Sequence, residues 1–247
     1  RTFHVAEGTI SNGGGVQAPA MGYAWRGRPL PSDEAVPPKT SFWRRRRADA
    51  APALAERGED GVFRLRNEFF EAAIDPLTGA IRAIRDYRTR GSRLAQQLAL
   101  RTPGPYSASG GEDDDDRELD YSVMAADEVA VASAGPDAGR IVSRGRLLDR
   151  EGRRLAGFVQ SMTARRGNRI LTLDIELDPE QLPEGDPWNS YYAARFALPD
   201  ASADWFRGVG LHRAPTEAAR LESPYFVDIC GDRVRTTLLA CGLPYHR

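Results

Sequence analysis

Histidine and cysteine, the residues most often found around protein-bound zinc, are scarce: this 247-residue chain has three of the first and two of the second. His4, His212 and His246 lie far apart, and no two share ligand spacing with an acidic partner, so no zinc site can be read from them. Cys230 and Cys241 sit in apolar surroundings with no CxxC or Cys/His pattern. That points to buried free thiols rather than to a bridge or a metal site, and so to a reducing compartment, with the cytoplasm as the expectation. No apolar run reaches the roughly 18 residues needed to span a bilayer, and nothing after Arg1 reads as a signal peptide. Excess charge is missing as well. With 34 Lys+Arg against 35 Asp+Glu the formal net charge is -1, which gives no general attraction to nucleic acid or anionic lipid. Neither nucleic acid nor membrane is expected as a partner.

What is present is ordinary for a soluble globular protein, with 41% hydrophobic and 28% charged residues. The length is enough for one large β-domain with an appended segment. The chain opens on Arg1 instead of a methionine and closes on a strand-and-turn pattern over residues 236–247, from which an excised segment is expected. Residues 1–60 carry Gly13, Gly14 and Gly15, then Pro29, Pro31, Pro37 and Pro38, then the run Arg44, Arg45, Arg46 and Arg47. Glycine adds flexibility and proline forbids ladder hydrogen bonds, so a connector with one or two short strands, within residues 16–25, is expected here. The four arginines lack an aromatic stacking platform and read as a solvated or interdomain run.

From Gly61 onward the pattern changes to short segments of period-two alternation separated by turn residues, the mark of an antiparallel sandwich. Residues 62–66 predict a strand that residues 67–74 continue. Asp75, Pro76, Leu77, Thr78 and Gly79 predict a turn, with proline presetting φ and glycine allowing a positive one, and residues 80–86 return as the second arm of a hairpin. Residues 103–118 predict a loop that ends in five carboxylates, residues 112–116, without the glycine-punctuated spacing of a calcium loop. Further strands are predicted over residues 129–133, 140–148, 154–164 and 169–177. In the last, Leu171, Leu173, Ile175 and Leu177 alternate with Thr172, Asp174 and Glu176. Asp174 and Glu176 sit about 7 Å apart on one face, within range of an acid and base pair for glycoside hydrolysis, but a polar outer face is the expected reading.

The most unusual segment is residues 186–199, where Trp188, Tyr191 and Tyr192 surround Arg195 after a proline-rich turn. Aromatic rings offer rigid apolar area and the guanidinium a planar donor fork, a combination suited to a sugar face or a tight domain interface. Alternation puts Tyr191 and Arg195 on one face and Tyr192, Phe196 and Leu198 on the other. Asp186, Trp188, Tyr191 and Arg195 are therefore the candidate carbohydrate or domain-interface residues. The alternative is that they are the core and edge residues of one more strand. No catalytic residue and no metal ligand is assigned.

Leu65-Arg66-Asn67-Glu68-Phe69-Phe70 together with Ile74-Asp75-Pro76-Leu77-Thr78-Gly79-Ala80-Ile81 resembles the opening hairpin of the C-terminal β-domain of α-mannosidases of glycoside hydrolase family 38. Residues 188–196, the run Glu222-Ser223-Pro224-Tyr225-Phe226-Val227-Asp228-Ile229, and residues 238–246 are similar to bacterial members of that group. The resemblance covers residues 60–247 and extends weakly to Pro19-Ala20-Met21-Gly22-Tyr23-Ala24-Trp25. It implies a mainly β fold, a large antiparallel β-sandwich of the galactose-mutarotase-like supersandwich kind over residues 61–247, behind an irregular N-terminal connector. It also implies a catalytic domain of the same polypeptide as partner, an α-mannoside-containing glycan as the enzyme's substrate, and zinc in that catalytic domain with no cofactor in this chain. On this resemblance the chain alone is inactive. An independent carbohydrate-binding module, a mutarotase-like sugar epimerase and an interaction domain of another hydrolase are the competing readings, since a shared fold does not confer function.

Overall fold

The computed structural model describes residues 2–5, 8–10, 16–18 and 23–26 through their backbone, and residues 52–102, 120–210, 212–232, 234–243 and 245–246 in full, save the Asp120 side chain. Every regular element among them is a β-strand, and every strand pairing is antiparallel. The chain forms two compact units, Arg1–Asp49 and Ala50–Arg247. In the first, β1 (Thr2–Val5) pairs with β4 (Tyr23–Arg26) and β2 (Gly8–Ile10) with β3 (Val16–Ala18). Within residues 1–60, where one or two short strands were expected, the described residues hold these four and a fifth at Ala55–Arg57. Arg44 to Arg47 and the acidic residues 112–116 lie outside the described residues, as does the side chain of His4.

The second unit begins eleven residues before the expected domain start, because β5 (Ala55–Arg57) is the edge strand of its first sheet. That sheet continues through β6 (Phe63–Arg66), β7 (Phe70–Ile74), β8 (Ile81–Asp86) and β9 (Ser92–Thr102). Residues 62–74 are not one continuous strand. Asn67 breaks them into a hairpin, its Oδ1 accepting the Phe69 and Phe70 N–H groups at 2.9 and 3.1 Å. Its amide donates to the Arg165 and Asn168 carbonyls at 2.9 and 2.8 Å. An Asn side chain that closes its own backbone turn competes with strand continuation. The expected turn at residues 75–79 is present. Asp75 Oδ1 accepts the Leu77 and Thr78 N–H groups, and Gly79 has φ 74°. A Cβ there would also stand 2.7 Å from the Cβ of Ser143, so both backbone and space require glycine.

The second sheet is a meander of β11 (Val123–Ala134), β12 (Ala138–Leu148), β13 (Arg154–Arg165) and β14 (Leu171–Pro179). β14 keeps the alternation read from its sequence: its leucines and isoleucine pack on the core, while Thr172, Asp174 and Glu176 are exposed. The two sheets enclose two apolar clusters. One joins Phe63, Leu65, Phe70, Ile74 and Ile81 to Ile141 and Met162, and the other joins Leu98 to Met124, Leu147 and Phe158. The fold is therefore a mainly β, antiparallel sandwich.

A smaller four-stranded sheet follows, ordered β17 (His212–Pro215), β16 (Asp204–Val209), β19 (Phe226–Cys230) and β20 (Arg235–Leu239). Beside it in sequence, β18 (Leu221–Glu222) pairs with β21 (Tyr245–His246). Both cysteines are free, as expected, but they are not buried: Cys230 is half-buried and Cys241 exposed. Cys241 lies in the turn after β20 with φ 50°, followed by Gly242 with φ 95°, where the backbone turns to the surface.

Candidate functional site

The unusual segment becomes β15 (Tyr191–Ala197), which joins the first sheet along β9, so that Tyr191 lies opposite Arg101 and Arg195 opposite Gln97. On the other edge of β9, Arg101 is also opposite Tyr121 of β10 (Asp120–Tyr121). Directly opposed residues in antiparallel strands share a face. Tyr121, Arg101 and Tyr191 thus form one row across three strands, with Arg195 four residues beyond Tyr191 on the same face. The other face of β15 meets the core, where Tyr192 and Ala194 pack against the Leu98 and Phe158 cluster. Tyr192 also donates its hydroxyl to the carbonyls of Gln181 and Leu155, at 2.6 and 3.2 Å. The predicted division of Tyr191 and Arg195 from Tyr192 is seen, and it follows from the pleat.

The row is a stack of cations and rings. The Arg195 guanidinium carbon lies 3.8 Å from the centre of the Tyr121 ring, and that of Arg101 lies 5.5 Å from the centre of the Tyr191 ring. Arg101 is only 2% exposed. It donates from Nη1 to the Trp188 carbonyl at 3.0 Å and to the Tyr191 hydroxyl at 3.3 Å, while its Nε is buried without a partner among the described residues. A weakly hydrated guanidinium tolerates such neutral surroundings better than an ammonium would. Burial, and next the neighbouring Tyr191, push the Tyr121 phenol above its ordinary pKa.

The four residues expected at the site are only partly brought together. Tyr191 and Arg195 share the row. Trp188 joins it through its carbonyl, while its indole meets Tyr245 edge to face at 5.6 Å and lies 5.8 Å from the guanidinium of Arg220. Asp186 is exposed and occupied by its own turn, Oδ1 accepting the Trp188 N–H at 3.0 Å and Oδ2 the Asn189 amide at 3.1 Å. It caps its own turn and takes no part in the row. Sequence reasoning missed Arg101 and Tyr121, which complete the row. Arg101 ends a run of apolar residues, and its burial follows from pairing with a strand ninety residues away.

Arg195 also borders a hollow of about 370 Å³ at the sheet edge, shared with Asp75, Thr78, Gln96 and Phe196. Arginine donors and aromatic faces at such an edge can hold hydroxyl-bearing or planar groups. Among the described residues no three of His, Cys, Asp and Glu gather closely enough to hold a metal ion. His212 is exposed, and the His246 ring nitrogen Nε2 lies 2.9 Å from the Ser223 carbonyl. Compared with known protein families and with curated proteins, the chain matches none.

Proposed function

We propose that this chain is the non-catalytic C-terminal β-domain of a retaining, zinc-dependent α-mannosidase of glycoside hydrolase family 38, with a sandwich of the galactose-mutarotase-like kind. It supports or completes the sugar-binding cleft of a catalytic domain elsewhere in the same polypeptide. The observation that carries the reading is the row of Tyr121, Arg101, Tyr191 and Arg195, built on the sheet face turned away from the sandwich core. A second support is that the hairpin on which the resemblance rests lies at the centre of the fold, with Leu65 and Ile74 fully buried.

On this reading the attacking carboxylate, the acid that protonates the leaving oxygen, and the zinc all belong to the catalytic domain. On the same reading, the part of this chain's residues is positioning. Tyr191 and Arg195 present a ring and a donor fork on a rigid edge strand, whose other face is locked by Tyr192.

Kinetics of the intact enzyme carrying Arg195→Ala test this. A fall of about tenfold in kcat/KM on an α-mannoside is expected if the row touches sugar or catalytic domain. Unchanged rate together with unchanged thermal stability removes both the cleft and the interface roles. Calorimetric titration of this chain alone with α-mannosides is expected to give no binding, whereas saturable binding would make it an independent carbohydrate-binding module.

A further inference from the structure

Away from the aromatic row, a hollow of about 470 Å³ is lined by Asp86, Arg88, Thr89, Arg93, Arg169 and Arg235. Its walls come from three sheets and the turns between their strands. Asp86 ends β8, Arg88 and Thr89 lie in the turn that follows, and Arg93 is the second residue of β9. Arg169 lies between β13 and β14, and Arg235 opens β20. Four guanidiniums therefore converge on one space with a single carboxylate in its lining.

That carboxylate is fully engaged. Asp86 Oδ1 accepts the Arg88 and Thr89 N–H groups at 2.8 and 3.1 Å. Its Oδ2 lies 3.3 Å from Arg93 and 3.5 Å from Arg169. Arg235 is anchored from behind by Asp228, through contacts of 2.8 Å to each carboxylate oxygen, and Asp228 also holds Arg213 at 2.7 Å. One donor is left over: Arg93 Nη1 is buried with no partner among the described residues. Its side chain is 14% exposed, so bulk water reaches it poorly.

Like charges gathered in a concave site repel one another unless an anion joins them, and planar guanidiniums match the geometry of tetrahedral oxyanions. Asp86 in the lining and Asp228 outside it hold the arginines in place, and two carboxylates do not neutralise four guanidiniums. The size of the space suits a small ligand.

We propose that this hollow is a binding site for a tetrahedral oxyanion, the phosphate or sulfate group of a small ligand. Arg93 and Arg169 are fixed by Asp86, Arg235 by Asp228, and the exposed Arg88 closes the site from solvent. The assignment does not depend on the α-mannosidase reading, because it needs only the charge and geometry of this chain.

Calorimetric titration of the full chain with inorganic phosphate, and separately with inorganic sulfate, tests it at pH 7.5 and low chloride. One saturable site is expected for at least one anion, weakening as sodium chloride is raised. Binding of only one of the two identifies whether phosphate or sulfate is the natural group. Arg88→Ala, an exposed change that leaves the packing intact, is expected to weaken binding about tenfold, and Arg88→Ala with Arg169→Ala further. Arg88→Lys is expected to restore part of the loss. Arg85→Ala, a neighbouring cation outside the hollow, serves as the control with unchanged binding. The proposal is overturned if neither anion binds saturably, or if both Arg88→Ala and the double variant bind as tightly as the Arg85→Ala control.

Discussion

Within the Ala50–Arg247 unit, the two-sheet sandwich and the small sheet of β16, β17, β19 and β20 bury different things. The sandwich hides whole aliphatic and aromatic side chains between its layers, and the polar groups caught there are neutral. Gln96 and Gln160, 2% and 0% exposed, bond to each other at 3.0 Å, and Gln160 reaches the Gly79 carbonyl. In the small sheet the apolar cluster consists of Leu221, Val227 and Ile229, with Leu198, Ala203 and Leu238 against it. On its opposite face is a fully buried carboxylate, Asp228, held by Arg213, Arg235 and Thr237. A sheet backed by a second sheet can rely on apolar area. A sheet with a thin apolar layer has its second face organised around an ion cluster.

The largest expected effect tests the sandwich half of that contrast. Phe158→Ala, in the cluster shared by both layers, is expected to destabilise the unit by about 3–5 kcal/mol. Urea unfolding followed by tryptophan fluorescence and far-ultraviolet circular dichroism checks it. A loss confined to the small sheet would break the comparison.

Next in size is Asp228→Asn, expected to cost about 3 kcal/mol, because it leaves guanidiniums gathered around a neutral amide. Burial by itself would raise the Asp228 carboxyl, but hydrogen bonds from Arg235, Thr237 and Arg213 outweigh it and hold the pKa below the ordinary carboxylate range. Its contribution is thus complete above the unfolded-state value of about 4 and is lost as pH falls through the lower folded-state value. Hydrogen exchange of the β19 and β20 amides between pH 5 and 2.5 is expected to show this loss in the wild type and its absence in Asp228→Asn. Asp86, also held below the ordinary range, adds a similar acid dependence at the sandwich rim.

The smallest effect sharpens the contrast. Gln160→Leu alone strands the Gln96 amide and is expected to cost about 1–3 kcal/mol, whereas Gln96→Leu with Gln160→Leu is expected to be nearly neutral. A thermal-unfolding double-mutant cycle measures the coupling. A double variant as damaged as the sum of the single ones would show that the glutamines carry more than each other's hydrogen bonds.

The mainly β, antiparallel class was legible because its signals are local. The turn at Asp75 to Gly79 needs only an Asx acceptor, a proline and a glycine, and β14 needs only its alternating leucines. The break at Asn67 was missed because hydrophobic patterning runs through it, and the turn is fixed by the Asn67 side chain, which holds the Phe69 and Phe70 N–H groups and reaches the carbonyls of Arg165 and Asn168 at the β13–β14 connection. The candidate site was half legible. Tyr191 and Arg195 share a face by alternation alone, but Arg101 and Tyr121 reach them through pairings across the sheet, which no pattern within the segment encodes. The anion hollow lies further still from sequence sight, since its arginines are spread from residue 88 to residue 235.

The sequence by itself determined where strands form and which way their side chains alternate, because pleat period and turn chemistry act over a few residues. Only the tertiary structure decided which strand lies beside which. That choice depends on burying apolar faces against distant partners, and it decides which arginines end up stacked on tyrosines, bonded to Asp228, or gathered around the hollow beside Asp86.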